Sequence, residues 1–286
     1  MQYIETKDPE SKTPVKLTYE DVGSGPAVVL IHGWPSSKEM WEYQVSDLVD
    51  AGFRVITYDR RGFGKSSKPF DGYGYDTLAD DLRAILEELD VHDATLVGFS
   101  MGGGEVVRYF SRHSGQRVAR VVLLSSIAPY MLKTKDNPDG VEGSMFDEII
   151  ANLKKDRLAF LDEFAKLFFG INVVNKPVSP QYLEYFRMLA SVASPKATIE
   201  CVKSFGYTDF RSEMSSINVP TLIIHGDSDK IVPHKPTSEQ AAKSIADSRL
   251  IIYEGAPHGL FVTERERLNK DLVRFIREEV PVGVRH

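Results

Sequence analysis

Short apolar runs alternate with helix-like segments along most of this chain, and the alternation limits its possible folds more than any other feature. The apolar runs lie at 27–33, 53–59, 93–99, 117–126, 219–227 and 248–254. Each is nearly continuous in hydrophobic residues, as expected for strands that are buried on both faces. Segments with helical periodicity lie at 39–51, 76–90, 101–114, 236–247 and 263–279. This order predicts an α/β protein with a mostly parallel sheet and helices on both of its faces.

Two departures from the alternation complete the predicted architecture. The N-terminal segments YIET and VKLTYEDVG are expected to form two antiparallel strands, which brings the sheet to eight. The stretch 127–217 has no convincing buried strand, and its segments 145–170 and 181–190 are typical of helices. We therefore expect a helical cap at 127–217, inserted into a core domain formed by 1–126 and 218–286.

The composition of the chain limits what the protein is expected to bind. The 286 residues carry a net charge of −6, which argues against a nucleic-acid surface. No apolar run reaches the roughly 18 residues that span a bilayer, and the first ten residues lack a charged-then-apolar leader. The single cysteine, Cys201, excludes an internal disulfide and a zinc cluster. We expect a cytoplasmic protein of bacterial type that binds no nucleic acid, membrane or metal.

Glycines surround one serine at the end of a predicted strand. The stretch GFSMG, residues 98–102, follows the run at 93–99 and opens the helix at 101–114. In so sharp a turn, flanking side chains would collide with neighbouring backbone, and glycine avoids the collision. This context is typical of a nucleophile elbow, which holds the serine oxygen at the carboxyl edge of the sheet near a helix N-terminus. Helix capping is the alternative role for Ser100.

A nucleophilic serine needs a base and a group that orients the base. His258 lies in the loop GAPHG after the last predicted strand, and Asp227 and Asp229 follow the strand before it. Because the carboxyl ends of parallel strands share one edge of a sheet, these side chains should converge near Ser100. Asp229 is the predicted acid, since Asp227 directly follows Gly226 and is better placed to fix the turn.

Two backbone N–H groups are expected to face the substrate oxygen. One belongs to Met101, which follows the predicted nucleophile, and the other to Trp34 in the loop HGWPSS. His32 is expected to support this loop, and His225 to be structural. The segment 59–62, DRRG, is expected to brace the site through hydrogen bonds within its loop.

Five motifs follow one another along nearly the whole chain. HGWPSS, YDRRGFGKSS, GFSMGGGEVVRY, HGDSDKIVP and APHG occur in this order within residues 27–262. Together they resemble the cofactor-free haloperoxidase, perhydrolase and aryl esterase branch of the α/β hydrolases. The resemblance implies an α/β-hydrolase fold with an inserted cap, the triad Ser100, Asp229 and His258, and no cofactor. It also implies an acyl pocket bordered by Phe99, Phe164, Phe168, Phe205, Ile231 and Val232.

The same resemblance implies a serine hydrolase that acts on short-chain or aryl carboxylic esters, with peracid formation as a side activity. Pro35, next to Trp34, is typical of the peroxide-tolerant members of this branch, whereas some esterase members carry leucine there. Pro35 is therefore expected at the substrate site. The expected partners are small esters or carboxylic acids and hydrogen peroxide, and relatives often form homo-oligomers.

Three alternatives stay open at this point. The same triad would serve amides, lactones, γ-lactams or carbon–carbon bonds. HGWPSSKEMW and YDRRGFGKSS also suit epoxide hydrolases and haloalkane dehalogenases, but those enzymes use a carboxylate nucleophile, and position 100 is serine. The third alternative is a ligand receptor built on a hydrolase fold, which turnover of a short acyl ester would distinguish from an enzyme.

Overall fold

One sheet organises the part of the chain that the structure, a computed structural model, describes: residues 2–9 and 12–278. Its strands are β1 (Gln2–Lys7), β2 (Pro14–Gly23), β3 (Ala27–Ile31), β4 (Arg54–Tyr58), β5 (Ala94–Phe99), β6 (Val118–Leu124), β7 (Thr221–Gly226) and β8 (Ser248–Tyr253). Their order across the sheet is β1-β2-β4-β3-β5-β6-β7-β8. The pairs β1–β2 and β2–β4 are antiparallel, and the other neighbours are parallel. The predicted eight-stranded, mostly parallel sheet is confirmed.

Helices connect the parallel strands and cover the sheet. In the described part of the chain they are α1 (Glu42–Asp50), α2 (Tyr75–Glu88), α3 (Met101–His113), α4 (Gly143–Phe168), α5 (Pro180–Ser191), α6 (Pro195–Tyr207), α7 (Ser238–Ser244), α8 (Leu260–Thr263) and α9 (Arg265–Arg277). Every residue of β3, β5 and β7 is buried, which requires cover on both faces. The continuous apolar runs of the sequence reflect this two-sided burial.

Helix boundaries differ from the predicted ones at both ends of the chain. The segment predicted at 39–51 begins as a 3₁₀ turn, Lys38–Trp41, before α1. The segment predicted at 263–279 corresponds to the two helices α8 and α9. Residue 279 lies outside the described residues.

The chain between β6 and β7 is mainly helical, but its helices are divided differently from the prediction. The helix predicted at 145–170 breaks at Asp156, where φ is −155° and ψ is 90°. Asp156 accepts a hydrogen bond from the N–H of Ala159 at 3.0 Å, so its side chain caps the second half of α4. Helix α6 was not predicted separately, although Ser194 caps it and Pro195 occupies its first turn. The division into a core domain and a cap at 127–217 stays a prediction.

Helices α4 and α6 pack over the carboxyl end of β3. The ring of Trp34, in the loop after β3, lies 5.1 Å from the ring of Phe164 on α4 and 5.7 Å from that of Phe205 on α6. The indole Nε1–H of Trp34 donates to the carbonyl of Thr198 on α6 at 3.1 Å. A cavity is thereby enclosed between these helices and the edge of the sheet where the predicted site residues lie.

Candidate active site

Ser100 occupies a strained turn between β5 and α3. Its φ of 53° and ψ of −118° lie outside the regions that non-glycine residues usually adopt. A Cβ on Gly98 would lie 2.7 Å from the carbonyl oxygen of Gly102, and a Cβ on Gly102 would lie 2.7 Å from that of Ile31. Backbone oxygens cannot yield at these distances, so the turn requires glycine at both positions. The local chain therefore holds the Ser100 side chain at the carboxyl edge of the sheet.

The structure brings Ser100, His258 and Asp229 into one hydrogen-bonded line. The Oγ of Ser100 lies 3.0 Å from Nε2 of His258, and Nδ1 of His258 lies 2.6 Å from Oδ2 of Asp229. All three side chains are buried. Asp227 instead accepts a hydrogen bond from the N–H of Gly255 at 2.7 Å, which joins the turns after β7 and β8. This arrangement can pass a proton from a serine hydroxyl to an imidazole that a carboxylate orients.

The carboxylate of Asp229 is held by four donors. Its Oδ1 accepts from the N–H groups of Ile231 at 2.9 Å and Val232 at 2.8 Å, and its Oδ2 accepts from His258 and from Nε2 of His225 at 3.1 Å. Burial favours the neutral acid, but the two histidines outweigh it and lower the pKa of Asp229 below its ordinary value. Asp229 is therefore an ionised carboxylate at neutral pH.

His225 was expected to be structural, and the structure places it against the predicted acid. Its Nε2–H also faces the carbonyl of Val232 at 2.9 Å, and its Nδ1 accepts from the hydroxyl of Ser238. The imidazole of His225 therefore shares Oδ2 of Asp229 with His258 and helps to fix the position of that oxygen. The four-residue spacing of His225 and Asp229 in HGDSD is visible in the sequence. The contact between the two side chains is not, because it depends on how the turn after β7 folds.

Two phenylalanines pack directly on the ring of His258. The ring centroids of Phe99 and Phe168 lie 4.9 Å and 4.8 Å from that of the imidazole, and the Phe168 ring stands at 87° to it. Both phenylalanines are buried. Their rings fix the plane of the imidazole and separate it from solvent, a role different from the pocket border expected for them.

Trp34 and Met101 present the two backbone N–H groups expected at an oxyanion site. Within the part of the chain that the structure describes, neither N–H donates to a protein acceptor. Met101 is the first residue of α3, so its N–H is one of the groups that a helix leaves unpaired at its N-terminus. Neither N–H is thus engaged by another protein group, as an oxyanion donor requires. Pro35 follows Trp34 through a cis peptide bond.

A cavity of about 290 Å³ opens over Ser100 and His258. The lining is mainly apolar and includes the rings of Trp34, Phe146, Phe160, Phe164 and Phe205 and the side chains of Ile231 and Val232. Of the residues expected at the pocket, Phe164, Phe205, Ile231 and Val232 are among its lining residues, whereas Pro35, Phe99 and Phe168 are not. The last two are directed instead at the His258 ring. Glu148, Glu163 and Lys230 add charge to the lining.

Other candidate sites lack this combination of groups. A larger groove of about 800 Å³, whose lining includes residues of α5 and α9, contains none of the predicted site residues. Burial raises the pKa of the Cys201 thiol to about 12, which keeps it protonated and unreactive.

In residues 2–9 and 12–278, no three His, Cys, Asp or Glu side chains are grouped to hold a metal ion. Over the same residues, no helix combines the length and hydropathy that a membrane span requires.

Comparison with known proteins gives consistent similarities over nearly the full chain. The model of the alpha/beta hydrolase fold family matches residues 26–265. A bromoperoxidase from Bacillus anthracis, known from its crystal structure, is 45% identical with a TM-score of 0.92, covering 97% of this chain and 100% of that one. A non-heme chloroperoxidase of Kitasatospora aureofaciens is 41% identical over 92% of this chain and 97% of its own length. A bifunctional esterase/perhydrolase of Acinetobacter calcoaceticus is 39% identical over 97% of this chain and 100% of its own.

Proposed function

Because this chain belongs to the α/β-hydrolase family, we propose that it hydrolyses short-chain or aryl carboxylic esters through an acyl-serine intermediate on Ser100. The observation that carries the proposal is the hydrogen-bonded line from Asp229 through His258 to Ser100, beside an apolar cavity. A buried hydroxyl in contact with an oriented base is the arrangement that nucleophilic catalysis requires. The aromatic lining suits an aryl group or a short acyl chain.

In the proposed acylation step, Oγ of Ser100 attacks the ester carbonyl while Nε2 of His258 takes the hydroxyl proton. Asp229 holds the imidazole in the required tautomer and stabilises the imidazolium that forms. The carbonyl oxygen becomes an oxyanion, which accepts hydrogen bonds from the N–H groups of Trp34 and Met101. The alcohol then leaves with the proton from His258, and the acyl group stays on the serine.

In the second step, His258 takes a proton from water, which attacks the acyl-serine. The imidazolium then returns that proton to Oγ of Ser100 as the acyl–oxygen bond breaks and the carboxylic acid leaves. Hydrogen peroxide in place of water attacks in the same way and releases a peracid. The similarity to a bifunctional esterase/perhydrolase supports this side activity. None of these steps needs a metal or a redox cofactor. A cytoplasmic location stays a prediction from the sequence, and assembly into a homo-oligomer stays a prediction from the resemblance.

Turnover of p-nitrophenyl acetate tests the proposed function. Replacing the nucleophile in Ser100→Ala should lower kcat/KM by roughly 10³-fold or more, because only binding and the oxyanion donors remain. The matched control is Ser244→Ala, which alters an exposed serine at the end of α7. Equal turnover by wild type and Ser100→Ala would contradict the proposal. If the wild-type protein does not hydrolyse esters but does hydrolyse amides or lactones in the same panel, those compounds are the favoured substrates.

Peroxide selectivity is tested at Pro35. We expect bound peroxide to donate a hydrogen bond to the carbonyl of Trp34, whose position depends on the proline that follows it. Pro35→Leu should therefore lower the ratio of perhydrolysis to hydrolysis several-fold while leaving ester hydrolysis measurable. The two rates are measured on one ester with and without peroxide, by peracid and acid formation. An unchanged ratio would show that Pro35 does not set this selectivity.

A further inference from the structure

The buried imidazole of His32 contacts the peptide group that precedes Trp34. Its Nδ1 lies 2.9 Å from the carbonyl oxygen of Gly33, and its Nε2 lies 3.0 Å from the backbone nitrogen of Arg60. The ring is fully buried, at the carboxyl end of β3. The Gly33 carbonyl and the Trp34 N–H belong to one planar peptide unit, so a bond that orients the first also orients the second.

The hydrogen-bond pattern assigns the tautomer of His32. A backbone N–H can only donate, so Nε2 accepts from Arg60, and Nδ1 carries the proton that it donates to Gly33. The guanidinium Nη1 of Arg60, 3.3 Å from Nδ1, is then a neighbouring cation without a hydrogen bond to the ring. Burial and this cation hold the pKa of His32 well below its ordinary value. The ring therefore remains a neutral donor at Nδ1.

Arg60 links the loop after β3 to helix α3. Its Nη2 donates to the carbonyl of His32 at 2.6 Å, and its guanidinium forms a fully buried ion pair with Glu105. Glu105 also accepts a hydrogen bond from the hydroxyl of Tyr58 at 2.8 Å. Because Glu105 lies in α3, one turn after Met101, this pair connects the loop that carries one expected oxyanion donor to the helix that carries the other.

We propose that His32 is a positioning residue for oxyanion stabilisation. Its Nδ1–H holds the Gly33–Trp34 peptide so that the Trp34 N–H faces the reacting carbonyl oxygen, and the Arg60–Glu105 pair keeps this loop in register with α3. A second bond to the Gly33 carbonyl, from the N–H of Ser36 at 3.1 Å, acts in the same direction. This inference rests on the proposed ester hydrolysis at Ser100.

Two substitutions separate the two contacts of the ring. The amide of His32→Asn can donate to the Gly33 carbonyl from the position of Nδ1 but offers no acceptor to Arg60. The amide oxygen of His32→Gln can accept from Arg60 near the position of Nε2, but its NH2 group then lies away from the position of Nδ1 and cannot donate to Gly33. The Gln variant should lose about 10- to 100-fold in kcat with little change in KM, less than the roughly 10²–10³ that removal of one oxyanion donor costs. The Asn variant should keep kcat within about threefold of wild type, although the backbone N–H of Arg60 loses the acceptor that His32 provides.

Two further measurements distinguish positioning from folding. Titration with diethyl p-nitrophenyl phosphate counts competent serines, so kcat is expressed per active site. Phenylboronic acid forms a tetrahedral adduct on serine with an oxygen in the place of the oxyanion, and its Ki should rise in His32→Gln by the same factor as kcat/KM falls. His32→Asn should leave that Ki near the wild-type value. His92→Gln, at an exposed histidine, is the control and should change none of these quantities.

The outcomes are distinguishable. If both His32 variants lose kcat equally, if the loss follows Tm across the series, or if Ki does not follow kcat/KM, His32 is only a structural residue and the inference is overturned. These results leave the proposed function intact, because wild type still turns over ester in a way that depends on Ser100. A wild-type protein without such turnover would overturn the proposed function and this inference together.

Discussion

The hydrogen bonds around Asp229 explain how this buried side chain can stay ionised away from water. Asp229 is buried, which by itself would make the charged form costly. Two backbone N–H groups and two imidazoles supply hydrogen bonds to its two oxygens. A carboxylate with this many donors is stabilised in its charged form. Asp229 can therefore hold His258 by hydrogen bonding and by charge throughout the neutral pH range.

Asp229→Asn tests this charge through activity and stability. If Asp229 is the acid of the proposed mechanism, kcat at neutral pH should fall by roughly 10⁴, because an amide favours the wrong imidazole tautomer. The lowered pKa of Asp229 means that the folded state favours the carboxylate more than the unfolded chain does. That stabilisation is full above the ordinary aspartate pKa of about 3.9 and is lost as pH falls below it.

Urea unfolding at several pH values measures the second effect. Below about pH 4 the free energy of unfolding should fall more steeply for wild type than for Asp229→Asn, since only wild type loses the charge of this carboxylate. Parallel curves for the two proteins would contradict the role assigned to that charge. Unchanged kcat in the variant would remove Asp229 from the mechanism.

Among the secondary-structure elements, the junction of β5 and α3 has little tolerance for a side chain at Gly98. Backbone atoms of Gly102 and Gly103 lie where a Cβ on Gly98 would be placed, the nearest at 2.7 Å. The turn therefore depends on close backbone contact, and a methyl group must displace either the strand or the helix. Any such shift moves the side chain of Ser100 relative to His258.

Gly98→Ala should lower the free energy of unfolding by about 1–3 kcal/mol, as expected for overpacking of a close contact. It should also lower kcat/KM by more than the loss of folded protein explains. Gly143→Ala is the matched control: its Cβ would meet only the end of the Leu132 side chain, at 3.4 Å, near the start of α4. A Gly98→Ala variant as stable and active as Gly143→Ala would show that the turn adapts without cost.

For the molecule as a whole, the cavity forms only where the helices between β6 and β7 meet the edge of the sheet. Trp34 from the loop after β3 contacts Phe164 of α4 and Phe205 of α6, and all three line the cavity. The size of the cavity is therefore set by packing between distant parts of the chain rather than by any single motif.

Phe164→Ala should enlarge the cavity and change selectivity for acyl length. We expect the ratio of kcat/KM for p-nitrophenyl octanoate to that for the acetate to rise about tenfold or more, since each added methylene finds new apolar contacts. Leu158→Ala, an exposed position on the same helix, is the control and should leave the ratio unchanged. A ratio that does not move in Phe164→Ala would place the acyl chain elsewhere.

Local patterns along the chain were sufficient to predict the succession of strands, most of the helices, the turn at Ser100 and the loops that carry Asp229 and His258. Periodicity and glycine spacing are properties of neighbouring residues, so they can be recognised without coordinates. Packing decided the rest, because it joins residues far apart in sequence: Ser100 and His258 are 158 positions apart. Only in three dimensions do Phe99 and Phe168 meet the His258 ring while the cavity forms from other side chains.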